Sequence, residues 1–231
     1  MALTMQPTIN PYLLIGKQYA DGLEAIAADG PTDTSELENS VFDYISGIYY
    51  TSITVVQEVE LRSIIRNCIN SYINSTLSEM YSLEQREFIN LMIGSSFING
   101  LTVDTLGVRI RDIEDNITKN NLTVDQQQPL FLATMIGSTA YSYFLAKITT
   151  PGDWASYFSG ALVSPTANLP FWVAIGMEGS LIGARTTSKG LIETTDEIVS
   201  INIISALTAA LTITCGKIMF MWVPRIRVNA L

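Results

Sequence analysis

Five charged residues crowd the first seven positions of RIRDIEDNITK: Arg109, Arg111, Asp112, Glu114 and Asp115. Asp112 and Asp115 stand three apart, a spacing that on a helix could hold a metal ion or serve as an acid/base pair. The plainer reading makes Arg111 and Asp115 an exposed i,i+4 ion pair, worth only a few tenths of a kcal/mol (~0.3). A second acidic run, Asp29, Asp33, Glu36, Glu38 and Asp43, has the charge to attract calcium. It lacks the alternate spacing of an EF-hand loop and reads better as a solvated face with negative charge at a helix N-terminus. The chain has no histidine. That removes Ser-His-Asp and Cys-His nucleophile systems and every histidine-ligated metal site, leaving only carboxylate or lysine chemistry.

Cys68 and Cys215 are the only cysteines and lie far apart. They read as small buried apolar residues, not as a disulfide or a metal pair. In GMEGSLIGA, Gly176, Gly179 and Gly183 match neither a phosphate-binding loop nor a dinucleotide fingerprint. Small residues at that spacing instead let helices approach closely. No cofactor is expected.

These residues sit on a chain of uneven charge. Residues 1–60 hold nine acids and one base, and residues 61–125 eight acids and six bases. Residues 126–192 hold two acids and three bases, and residues 193–231 three of each. The net charge of −9 argues against a nucleic-acid partner, because phosphate recognition needs clustered Lys and Arg. Charged residues are 15% of the chain and apolar ones 48%, with a mean hydropathy of +0.28. The N-terminus has neither a basic nor an apolar signal region, so synthesis in the cytoplasm is expected. The charge pattern suggests an acidic helical domain over 1–125 and a low-charge apolar region over 126–231, facing an assembly or a membrane.

Helix signals recur along the chain. Asn10-Pro11 opens a periodic run that Gly30-Pro31 ends. Ser35–Glu38, Ser82–Gln85, Thr123–Gln126 and Thr194–Glu197 have the form of capping boxes. A long helix is expected from about Ser52 to Met80, and Leu106, Ile110, Ile113 and Ile117 form the cleanest apolar stripe. Residues 150–158 suggest a short aromatic helix, whereas ALVSPTANLP, with two prolines, argues against a continuous one. The fold expected is mainly α, a helical bundle with a hydrophobic C-terminal half and a possible short β element near its end.

Three windows, 129–146, 154–177 and 198–216, contain no charged residue, and they compete as membrane spans. Within 198–216, Asn202, Ser205, Thr208 and Thr212 recur at helical spacing. Such a stripe gains nothing against lipid, but with Ala209 it could pack closely against another helix. LTITCGKIMFM also alternates like a strand, so helix and strand both stay open after about residue 210. Trp154, Trp172 and Trp222 flank the uncharged windows and suit either a membrane-interface belt or protein contact.

NPYLLIGKQYADGLEAI, IEDNITKNNLTVDQQQPLFLATMIGSTAYSYF and the Trp-led passage into a Gly/Ala-rich apolar C-terminus resemble a group of uncharacterised Bacteroidota proteins. The likeness spans residues 9–184, and the chain departs from it after Gly183. It implies no activity. The residues therefore point to a non-enzymatic structural protein that self-assembles or docks into a larger complex, such as a virion component, a tube or a cell-surface assembly. Its partners would be copies of itself or other subunits. Asn202, Ser205, Thr208, Ala209, Thr212, Gly176, Gly179, Gly183, Trp172 and Trp222 are the expected contact residues. A membrane-inserting, pore-forming protein is the alternative, and a carboxylate-based enzyme is a distant third.

Overall fold

A computed structural model describes residues 10–50, 52–71, 80–96, 102–159, 165–185 and 195–220. Among them lie nine α-helices and no strand, a mainly α bundle. The helices are α1 (Leu13–Asp29), α2 (Thr34–Tyr49), α3 (Val55–Ser71), α4 (Leu83–Ser96), α5 (Val103–Lys119), α6 (Val124–Thr149), α7 (Ala155–Ser159), α8 (Pro165–Arg185) and α9 (Thr195–Phe220). A single 3-10 turn, Gly152–Trp154, leads into α7.

Local chemistry explains most boundaries. At α1 the chain leaves the helix through Gly30, whose φ of 64° is left-handed, and its N–H returns to the Ile26 carbonyl. The boxes at Ser82–Gln85 and Thr123–Gln126 both form, with reciprocal side-chain and backbone bonds. Thr54–Gln57 and Thr102–Thr105 make two more. The last escapes a search for Glu or Gln at the third helical position, because a threonine hydroxyl does the same work there.

Three expectations need correction. The cap of α2 is Asp33, whose carboxylate accepts from the Ser35 and Glu36 amides at 2.8 and 2.9 Å, so the Ser35–Glu38 box does not open that helix. Pro165 and Pro170 do not break the C-terminal half. Pro165 begins α8, where its missing N–H costs nothing, and Pro170 falls early enough to leave only the Thr166 carbonyl without its usual donor. The strand-like end is helical, since α9 runs unbroken to Phe220. Leu211, Ile213 and Cys215 alternate with Thr212 and Thr214, yet all five are buried; where every face is covered, periodicity carries no signal. Thr194 and residues 72–79 lie outside the described residues.

The long apolar helices α6, α8 and α9 form the centre, with α8 packed between the other two. α1 lies across α6 and α9; the α2–α3 pair covers α9; α4 and α5 cover α6, and α4 also meets α8. One core therefore draws on both halves, with Tyr19, Leu37 and Ile65 packed among Phe144, Trp172 and Leu211. The boundary near residue 125 divides charge. It does not divide packing.

Candidate functional site

The expected contact stripe lies at the junction of α8 and α9. The two helices run antiparallel with glycines at the points of closest approach. A β-carbon on Gly179 would sit 2.8 Å from the Ala210 Cα and 3.1 Å from the Ala209 carbonyl oxygen. One on Gly183 would collide with the Ser205 carbonyl oxygen and lie 2.7 Å from the Ala206 Cα. Gly176 faces α1 instead, where a β-carbon would stand 3.0 Å from the Tyr19 hydroxyl. Close helix approach is thus the use of all three glycines, and the partner is the same chain.

Ser205, Thr208, Ala209 and Thr212 are buried, and Asn202 is half-buried. The threonine hydroxyls do not reach across the seam. Thr208 donates to the Ile204 carbonyl and Thr212 to the Thr208 carbonyl, both at 2.7 Å, within their own helix. Thr214 does make a polar contact between helices, 2.8 Å from the Tyr19 hydroxyl on α1. In this arrangement Ser205, Thr208, Ala209 and Thr212 are enclosed within the subunit, and Asn202 stays half-exposed. Trp222 lies outside the described residues.

Trp172 is buried between aromatic rings, 5.0 Å from Phe158 in a stacked arrangement and 5.0 Å from Phe144. Trp154 joins the same cluster and donates its indole N–H to the Tyr143 hydroxyl at 2.7 Å. Tyr143 in turn donates to Glu24 at 2.5 Å, and Lys147 pairs with Glu24 at 2.7 Å. Hydrogen bonds from Lys147 and Tyr143 hold the Glu24 carboxyl below the usual carboxylate range, and burial pushes the Tyr143 hydroxyl up. A tyrosine held protonated beside a paired carboxylate ties α1 to α6. It offers no free base.

Asp112 is exposed and Asp115 half-exposed, whereas Glu114 between them is 4% exposed. Its Oε1 accepts from Asn10 Nδ2 at 2.5 Å and from Thr134 Oγ1 at 2.6 Å. The signal for this burial was available: position 114 stands four residues after Ile110 and three before Ile117, on the edge of the apolar stripe. Asn10 does not cap α1, which begins at Leu13 behind Tyr12 with no side-chain cap; its amide instead bridges α5 and α6. The acidic run resolves into structural contacts as well. Asp33 caps α2, and Glu38 receives Arg66 at 2.8 Å and Arg62 at 3.2 Å.

Both thiols are buried, and desolvation pushes Cys68 up to about 12 and Cys215 higher still. Such thiols are poor nucleophiles and poor ligands. An open depression of about 450 Å³, lined by Phe88, Leu91, Asn116, Lys119, Asn120 and Asn121, contains one cation and no carboxylate. Among the described residues no group of three Cys, Asp or Glu side chains could hold a metal ion.

Exposed apolar side chains cluster on the solvated helices. Val55, Val56 and Val59, at the start of α3, are 78%, 62% and 64% exposed. They share one face, at i, i+1 and i+4. Comparison with protein-family models, with curated proteins and with solved structures gave no match.

Proposed function

We propose that the protein is a non-enzymatic structural component that self-assembles or docks into a larger complex. The observation that carries this reading is the bare face of Val55, Val56 and Val59 on α3. Three β-branched apolar side chains left in water on one helix face are the kind of surface that a partner covers. The buried thiols and the carboxylates engaged in caps and ion pairs support a structural role over a catalytic one. The contact surface then belongs to the acidic half, and the C-terminal stripe acts inside the subunit.

Sedimentation of the full chain without detergent tests this. A discrete or filamentous oligomer is expected, and Val56→Asp with Val59→Asp should reduce it to monomers that keep their helical circular dichroism. A wild-type chain that sediments as a soluble monomer at all concentrations overturns the proposal.

Membrane insertion is the second reading, and one observation favours it: Asn202–Phe220 is long and apolar enough to cross a bilayer. Since 72% of that window is buried within the chain, insertion would require α9 to leave the core. A chain that needs detergent to stay in solution would support it.

A further inference from the structure

Glu114 is a carboxyl group in an almost closed site whose hydrogen-bond donors are neutral. Asn10 Nδ2 donates to it at 2.5 Å and Thr134 Oγ1 at 2.6 Å. The same Asn10 amide group donates to the Phe131 carbonyl at 2.9 Å, and its Oδ1 accepts from the Tyr12 amide at 2.9 Å. One side chain thus fastens the start of α1 to α5 and α6 together, beside Leu13 and Leu14, which are exposed.

The charges around the site do not supply a counterion. On α5, Arg109, Arg111, Asp112 and Lys119 are exposed and Asp115 half-exposed; Asp115 and Arg111 act on Glu114 with opposite sign. α6 has no charged residue between Asp125 and Lys147, and no charged side chain precedes Lys17 before or within the start of α1. On α4, the other neighbour of α5, the charged residues Glu84, Arg86 and Glu87 all lie in the first turns. Among the described residues no ion pair reaches Glu114.

We propose that Glu114 is a proton-sensitive latch on the start of α1, closed when its carboxyl is protonated and loosened when it ionises. A buried carboxylate with two neutral donors and no cation is costly, whereas the acid form keeps Oε1 as an acceptor for Asn10 and Thr134. Burial pushes the carboxyl up, and the bonds from Thr134 and Asn10 offset this only in part. The sign follows. The latch is fully closed below the ordinary glutamate value of about 4.3 and weakens as pH rises from there through the raised value, because the closed state binds the proton more tightly.

Hydrogen exchange of the folded, full-length chain at pH 5 and pH 8, corrected for intrinsic rates, tests the latch at Ile15 and Gly16, whose amides both bond to the Tyr12 carbonyl. Protection there should fall with rising pH by roughly tenfold for each unit by which the carboxyl is raised, while core amides of α6 hold theirs. Glu114→Gln, which cannot ionise, should abolish this pH response, and Asn10→Ala should lower protection equally at both values. A wild-type start of α1 equally protected at both pH values overturns the latch, as does a Glu114→Gln chain that still responds. Should Glu114→Gln fail to fold, a carbon-13 titration of the wild-type Glu114 carboxyl decides: a midpoint in the ordinary carboxylate range sinks the proposal, and a raised one sustains it.

Discussion

Two helix pairs in this molecule are held by different physics. The α8–α9 pair meets through glycine and alanine, with the hydroxyls of Thr208 and Thr212 bonded inside their own helix. The α2–α3 pair meets beneath a set of charges: Glu38 between Arg62 and Arg66, and the Arg62 guanidinium 3.9 Å above the Phe42 ring. At Gly179 and Gly183 the first contact is short-ranged and dry, so shape decides it there. The second lies partly in water, so it tolerates shape changes and responds to salt and pH.

Enlarging a seam glycine should have the greatest effect. Gly183→Leu would drive a side chain into the Ser205 carbonyl and the Ala206 backbone, at the upper end of overpacking costs, about 3 kcal/mol or more. Loss of a cooperative urea transition is the expected result, and a chain with unchanged midpoint would remove the seam from the account of stability.

Polar contacts within the core should rank next and should differ between neighbouring threonines. Thr214→Val leaves the buried Tyr19 hydroxyl without its partner, at about 1–3 kcal/mol. Thr208→Val deletes only a bond back to the Ile204 carbonyl, which keeps its helical partner, and should change stability by less than about 1 kcal/mol. Equal losses from the two substitutions, measured by urea denaturation, would contradict the assigned hydrogen bonds.

The charged pair should respond more gently. Glu38→Gln is expected to destabilise by about 1 kcal/mol or less, and less again in high salt. Burial of Glu38 raises its carboxyl, but the bonds from Arg66 and Arg62 outweigh this and hold it below the usual range. Its contribution is therefore present above the unfolded value and is lost as pH falls through the folded one, opposite in sense to Glu114. Thermal melts across the acid range should show that loss in the wild type and a weaker one in Glu38→Gln. Smallest of all, Val59→Lys should shift the melting free energy of a single subunit by no more than about 0.5 kcal/mol, because its side chain lies in water. A large shift would mean that this face is already covered.

Much of this contrast was legible in the residues. Leu106, Ile110, Ile113 and Ile117 announce α5 and its buried face, because a helix with one wet side writes its orientation into its pattern. The boxes at Ser82 and Thr123 announce α4 and α6. Close approach at Gly176, Gly179 and Gly183 was also readable, since only small side chains admit a neighbouring backbone. Glu114 was obscured by Asp112 and Asp115 on either side, although its spacing from Ile110 and Ile117 placed it at the edge of the stripe.

By itself, then, the sequence determined a mainly helical chain, the caps at Ser82 and Thr123, the small-residue seam and the lack of histidine chemistry. Only the tertiary structure decided which helix the seam meets and whether its hydroxyls bond across it. It also decided that α9 continues through its alternating end. An apolar window such as Ile198–Gly216 records that it avoids water, and avoidance alone does not distinguish lipid, another copy or the same chain. That choice depends on α1, α3 and α8 converging on one helix from distant parts of the sequence, a long-range fact that no local pattern encodes.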